Sequence, residues 1–322
     1  MLKIETLSQT GMLRASTVAP AEEPRAGVGA AAVSAAKRVP AAVWVGGGLL
    51  AALLLALYLR IGIKLVEDWI NYQDYSHGPL IPFFAAFLVW DQCAVLLGIA
   101  QKPSWFGIPL VVLGLFILLV GVFGADLFLS RISFIILAAG LIWTLAGRAM
   151  LGWSKFLLFV LALSIPLPAV LFNHITFPLQ ILASEVASWM LPWFGVPVLR
   201  EGNVINLPAM PLEVAEACSG IRSLMSLFTV AVIFGYFVEK GTLRRTILAL
   251  ASVPIAVAAN VARIVGTGLC VQYWDPQKAL GFFHEFSGWL MFLVSMSLLY
   301  VIHRLMARFM PQTSKPQAGA AI

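Results

Sequence analysis

Residues 104–124 read SWFGIPLVVLGLFILLVGVFG. No charged side chain interrupts them, and the run matches the ~20 residues a helix needs to cross ~30 Å of hydrocarbon. Inside hydrocarbon no water is available to backbone N–H and C=O groups, so the run must satisfy them within itself, as a helix. The rest of the chain agrees: 61% of its 322 residues are hydrophobic and 11% are charged, against about 25% charged in soluble domains. A β-barrel would show short alternating segments instead of long apolar runs. The fold class that follows is all-α: a polytopic α-helical membrane protein.

Working outward from that run, apolar segments predict about eight transmembrane helices, at 41–61, 79–99, 104–124, 130–147, 151–172, 218–238, 244–272 and 284–306. Asp91 and Gln92 interrupt the second, so its first 12 residues read as a half-span followed by a turn. Residues 1–39 are polar and Ala-rich and lack a signal-peptide pattern, which predicts a disordered tail before a retained first span. Residues from 311 onward read the same way, leaving 40–310 as the membrane domain. With an even number of spans, both termini share a side. That side carries 14 of the 21 lysines and arginines, so both tails are expected on the cytoplasmic side. The net charge of +6 therefore reports topology and not nucleic-acid binding.

The outer-face loop region 173–217 contains Pro178, Pro192, Pro197, Pro208 and Pro211, so it cannot be one straight helix. A polar stripe of Gln180, Ser184 and Ser188 predicts a helix over 174–191 lying at the interface. Residues 196–207 read as a β-hairpin, Val196 to Arg200 and Val204 to Leu207, turning at Glu201-Gly202-Asn203.

Polar residues inside spans are costly and point to function. Cys218 opens the sixth predicted span, whose inner end is marked by Lys240. Arg263 follows Arg245 by 18 residues, about 27 Å along a helix. His284 opens the last span, whose inner end is marked by His303 and Arg304. Three separate rulers thus put a thiol, a guanidinium and an imidazole at one outer depth. A helix N-terminus favours a thiolate, a histidine can take and return a proton, and an arginine can stabilise a developing oxyanion. The expectation is a Cys218/His284/Arg263 acyl-transfer site. Ser219 and Gly220 keep the approach to the thiol open, and Asn260 lies one turn below Arg263 on its face. Arg222 either tunes the thiolate or pairs with Glu216. Cys93 and Cys270 read as packing residues, and His174 and His303 as interfacial ones. The three cysteines form neither a CxxC pair nor a metal-ligand spacing, so no metal and no cofactor is expected.

The same residues resemble the exosortase/archaeosortase family. Four segments carry the likeness: Tyr75-Ser76-His77-Gly78 with Leu80 and Pro82; Glu216-Ala217-Cys218-Ser219-Gly220-Ile221-Arg222-Ser223; Asn260-Val261-Ala262-Arg263-Ile264; and His284 with Gly288. The resemblance covers roughly 40–306. It implies a membrane cysteine transpeptidase or protease with Cys218, Arg263 and His284 as its catalytic set. It also implies exported protein substrates bearing a C-terminal sorting signal: a short motif such as PEP, a transmembrane helix and a basic cluster. An acceptor lipid or glycan takes the cleaved chain, often in connection with exopolysaccharide production. Tyr75, Ser76 and His77 read either as the border of the substrate cleft or as a plain interfacial turn. Val204 and Ile205 are expected to offer an edge to which the extended motif pairs. The rival expectation is a non-enzymatic membrane component of exopolysaccharide export, in which Arg222 and Arg263 bind anions and Cys218 is incidental.

Overall fold

The computed structural model describes residues 41–214, 220–274 and 282–310, and all of their side chains except those of 41–44, 73, 220–223 and 282–285. Cys218, Ser219 and Glu216 therefore lie outside the described residues, as do the two tails and the side chains of Arg222 and His284. The chain divides after Ala56 into two units, and the contacts below all belong to the second.

Ten α-helices are described: α1 (Ala41–Asn71), α2 (Leu80–Asp91), α3 (Cys93–Gly98), α4 (Ile108–Phe123), α5 (Leu127–Ala146), α6 (Arg148–Leu163), α7 (Ala169–Met190), α8 (Gly220–Val238), α9 (Thr242–Tyr273) and α10 (Phe282–Phe309). Between α7 and α8 stand three short strands, β1 (Leu199–Glu201), β2 (Val204–Asn206) and β3 (Pro211–Glu213). Five helical segments are long and apolar enough to cross a membrane: 45–71, 105–123, 127–146, 242–273 and 286–309. Leu80–Asp91 and Leu224–Val238 are shorter apolar helices. Dozens of large apolar side chains, such as Leu113, Phe116 and Leu290, are exposed, the surface expected of a bundle solvated by lipid.

Each of the eight predicted runs is helical, but three boundaries differ. The first helix continues through Arg60, Lys64 and Asp68 to Asn71, because two of those charges point outward and the third is ion-paired. The second run breaks at Gln92, as the interrupting polar pair suggested. The fifth ends at Leu163 instead of 172, since Pro166 and Pro168 cannot continue its hydrogen-bond ladder.

α4 and α5 form the closest helix pair. A Cβ on Gly114 would come within 3.0 Å of Leu137, and one on Gly140 within 2.6 Å of Val111, so glycine lets the two backbones meet. α8, α9 and α10 share a core of Leu224, Leu227, Leu248, Ile255, Leu299 and Met306. A second core joins α7, the sheet and the C-terminal third of α9 through Leu191, Ile205, Leu212, Ile264 and Val271. Burying each such side chain contributes about 1.5–3 kcal/mol, which is what holds the short sheet to the bundle.

The hairpin forms with Glu201 opposite Val204. Gly202 takes φ +64 as the first of two loop residues, the position at which a type II′ hairpin turn calls for glycine. β3, unforeseen in the sequence, pairs with the other side of β2. The three-stranded order β1-β2-β3 makes β2 the centre. This corrects the expected role of Val204 and Ile205 as an open edge: β2 is bonded on both sides, and Ile205 is fully buried. The edges belong to the outer strands β1 and β3, of which β1 is exposed along its whole length. Within the polar stripe of α7, Ser184 is buried and its Oγ lies 3.1 Å from the Gly202 carbonyl, while Gln180 and Ser188 are half-buried. α7 exposes Val170, Phe177, Leu182 and Trp189 together with Asn173, His174 and Glu185.

Candidate active site

The end of the bundle at which α1 and α6 finish and α8 and α10 begin is called here the upper end. There α9 presents Arg263, 6% exposed, within a single helix running unbroken from Arg245. The guanidinium lies across α10. A Cβ built on Gly288 would stand 3.5 Å from its Cζ and Nη2, ordinary van der Waals distance, so the guanidinium packs directly over this glycine. His284 sits in the first turn of that helix, four residues before Gly288. α8 begins at Gly220, two residues after Cys218. Asn260 is half-buried, and its Oδ1 has no hydrogen-bond partner among the described residues. It lines a cavity of about 20 Å³ with Thr176 and Gln180, between α7, α8 and α9, room for about one water.

The Tyr75-Ser76-His77-Gly78 segment packs on the same end. Tyr75 and His77 are buried and Ser76 is exposed. His77 Nδ1 lies 3.5 Å from Ser226 Oγ on α8, which ties the turn to the helix that Cys218 precedes. Burial pushes the His77 imidazole below its ordinary pKa, only partly offset by the Leu163 backbone. Burial likewise raises the Tyr75 hydroxyl, with the Leu167 backbone acting the other way. Gly78 has a steric reason: a Cβ there would stand 2.4 Å from the Trp69 ring. Trp69 in turn donates from Nε1 to the Ser164 carbonyl at 2.8 Å.

With this geometry in view, the comparison with known families is decisive: the transmembrane exosortase model matches residues 69–301. The chain belongs to the transmembrane exosortase family. The match begins at Trp69, at the upper end of α1, and closes within α10, so it takes in every segment that carries the resemblance. No curated protein and no solved structure matches the chain.

Two features of this exosortase went unread in its sequence. The first is the ion pair between Arg131 Nη2 of α5 and Asp68 Oδ2 of α1, at 2.6 Å. The second lies at the lower end, where Glu239 is buried between Arg244 (2.9 Å) and His303 Nδ1 (2.7 Å). His303 is therefore bound inside the bundle and is not the interfacial histidine its position suggested. Arg245 donates to the Glu239 and Tyr236 carbonyls at 2.8 and 3.0 Å, capping the C-terminal carbonyls of α8 that have no partner in the helix. A charge within an apolar run was the available signal in each case, but the partners are more than sixty residues apart except for Arg244. Among the described residues no cluster of His, Cys, Asp or Glu could hold a metal ion. Cys93 and Cys270 are free thiols, and Cys270 packs on the sheet core.

Proposed function

We propose that this chain is a membrane cysteine transpeptidase or protease that cleaves C-terminal sorting signals of exported proteins at the outer face of the inner membrane. The observation that supports this most directly is the seating of Arg263 on Gly288, one turn along α10 from His284. A buried guanidinium held against the helix that carries the histidine is what an oxyanion-stabilising arginine requires.

In this reading Cys218, as thiolate, attacks the scissile carbonyl and Arg263 stabilises the tetrahedral oxyanion. The C–N bond breaks as His284 protonates the leaving amine, and a thioester remains on Cys218. His284 then removes a proton from the second nucleophile, which displaces the thiolate. Water gives hydrolysis; an amine or hydroxyl of a lipid or glycan gives transfer. Gly220 and Ser219 leave the thiol approachable, and Arg222, Glu216 and Asn260 support the charged groups. Because β2 is enclosed, the extended motif pairs with the free edge of β1 at Leu199–Glu201. Ser76, exposed on the turn, borders its path. A tail helix ending in basic residues inserts with that end in the cytoplasm, leaving the motif at the outer boundary.

The test is co-expression with a candidate tail-anchored substrate, reading loss of the tail by intact mass. Wild type is expected to release it and Cys218→Ala is not. Equal processing by both would overturn the reading and favour a non-enzymatic export component.

A further inference from the structure

A cavity of about 210 Å³ opens in the upper half of the bundle between α1, α2, α5 and α6. Gly62, Leu65, Phe134, Ile135 and Leu161 are among its wall residues, and Trp69 stands at its top. Gly62 and Phe134 are exposed, so the space opens onto the bundle surface, where lipid lies. It extends along α1 from Tyr58 to Trp69, about 16 Å at 1.5 Å per residue, which is the hydrocarbon depth of one leaflet. Tyr58 does not offer its polarity to the space. Its hydroxyl lies 2.9 Å from Ser133 Oγ, whose proton goes to the Ser130 carbonyl, so Tyr58 donates.

One polar group does face the cavity. Arg131 lines it and is 4% exposed. Its single ionic contact uses Nη2, toward Asp68, and its Nε is buried with no hydrogen-bond partner among the described residues. A guanidinium carries five N–H donors in a fork that matches phosphate oxygens. An apolar slot one leaflet deep with an under-bonded guanidinium beside it has the polarity pattern of a phospholipid.

We propose that this cavity binds a membrane phospholipid, with one acyl chain along α1 and its phosphate at Arg131. A peptide helix does not fit. The empty space of about 620 Å³ spread over its height has a section of about 39 Å², enough for one extended chain but well under the roughly 80 Å² of a helix about 10 Å across with its side chains. The occupant also touches functional ground. Trp69 walls the cavity on one side and abuts Gly78 on the other, so the bound chain backs the turn that carries His77. Binding itself does not depend on the catalytic proposal.

The experiment is native mass spectrometry of the full chain released from detergent, after exposure to vesicles of phosphatidylglycerol or of diacylglycerol with the same chains. Wild type should retain one phosphatidylglycerol and discriminate against diacylglycerol. Gly62→Phe should lose that adduct, because a Cβ at 62 meets nothing within 4 Å and the ring fills the slot without displacing a neighbour. Arg131→Lys should keep the adduct with at least tenfold less preference for the phosphate-bearing lipid. Equal retention by wild type and Gly62→Phe, or retention of detergent alone, would overturn the proposal. So would a photo-crosslinker placed at Ile61 that captures peptide and no lipid.

Discussion

The two ends of the bundle set the same side-chain types among different neighbours. At the lower end an arginine and a histidine close on one buried carboxylate, Glu239, and a second arginine caps α8. The charges of this cluster are spent on one another, and it ties α8, α9 and α10 together. At the upper end Arg263 lies against a glycine, and the Tyr75–Gly78 turn is pressed onto an indole ring. Arg263 and the Tyr75–Gly78 turn, two of the places where the family resemblance was read, lie at this end. The lesson is that a polar residue within an apolar run does not by itself mark a site. What distinguishes the two ends is the surroundings of the group: a buried carboxylate at the lower end, a helix glycine and an indole at the upper.

The largest effect that sharpens this contrast falls on the thiol. Cys218→Ala should lower substrate processing by about 10³-fold or more while leaving thermal unfolding in detergent unchanged. Arg263→Ala follows, with processing reduced about 10²–10³-fold, as for removal of an oxyanion donor. If Arg263→Ala instead unfolds the protein and spares the activity of the folded fraction, the upper end is as structural as the lower.

The lower end predicts the reverse. Glu239→Gln leaves Arg244 and His303 without their anion, and breaking a buried pair costs about 3–5 kcal/mol. A denaturation series should show that loss, while processing per folded molecule holds. Gly78→Ala is smaller, about 1–3 kcal/mol of overpacking against Trp69, measurable as a lowered midpoint of unfolding.

The smallest effect is on pH dependence. Burial holds the His77 pKa below its ordinary 6.5, so the folded chain binds that proton more weakly than the unfolded one. The stability His77 contributes is complete above about pH 6.5 and declines as the pH falls below it, until the folded pKa is passed. Unfolding midpoints of wild type should fall between pH 6.5 and 5 more than those of His77→Gln.

Much of the fold was legible because hydrocarbon permits so few solutions. Apolar runs located the helices, the Asp91-Gln92 pair marked the break in the second, and Glu201-Gly202-Asn203 set the hairpin. β3 was hidden because Pro208 and Pro211 read as breakers, although proline is tolerated at the first position of an edge strand. The continuation of α1 was hidden by its charges. Asp68 with Arg131, and Glu239 with His303, depend on which helices become neighbours, and one chain's pattern does not encode that. For the site, the depth rulers singled out Cys218, Arg263 and His284, and the family resemblance added the turn at Tyr75. The contact of Arg263 with α10 needed coordinates. Cys218 lies outside the described residues, so its place in the site rests on the sequence.

The central claim is a thioester between substrate and Cys218, and hydroxylamine tests it most directly. Added to wild-type enzyme with a tail-anchored substrate, it should intercept the acyl group and leave a hydroxamate at the new C-terminus, visible by mass. Cys218→Ala should yield none. Tail release that proceeds in Cys218→Ala, or that never gives hydroxamate in wild type, would contradict the account.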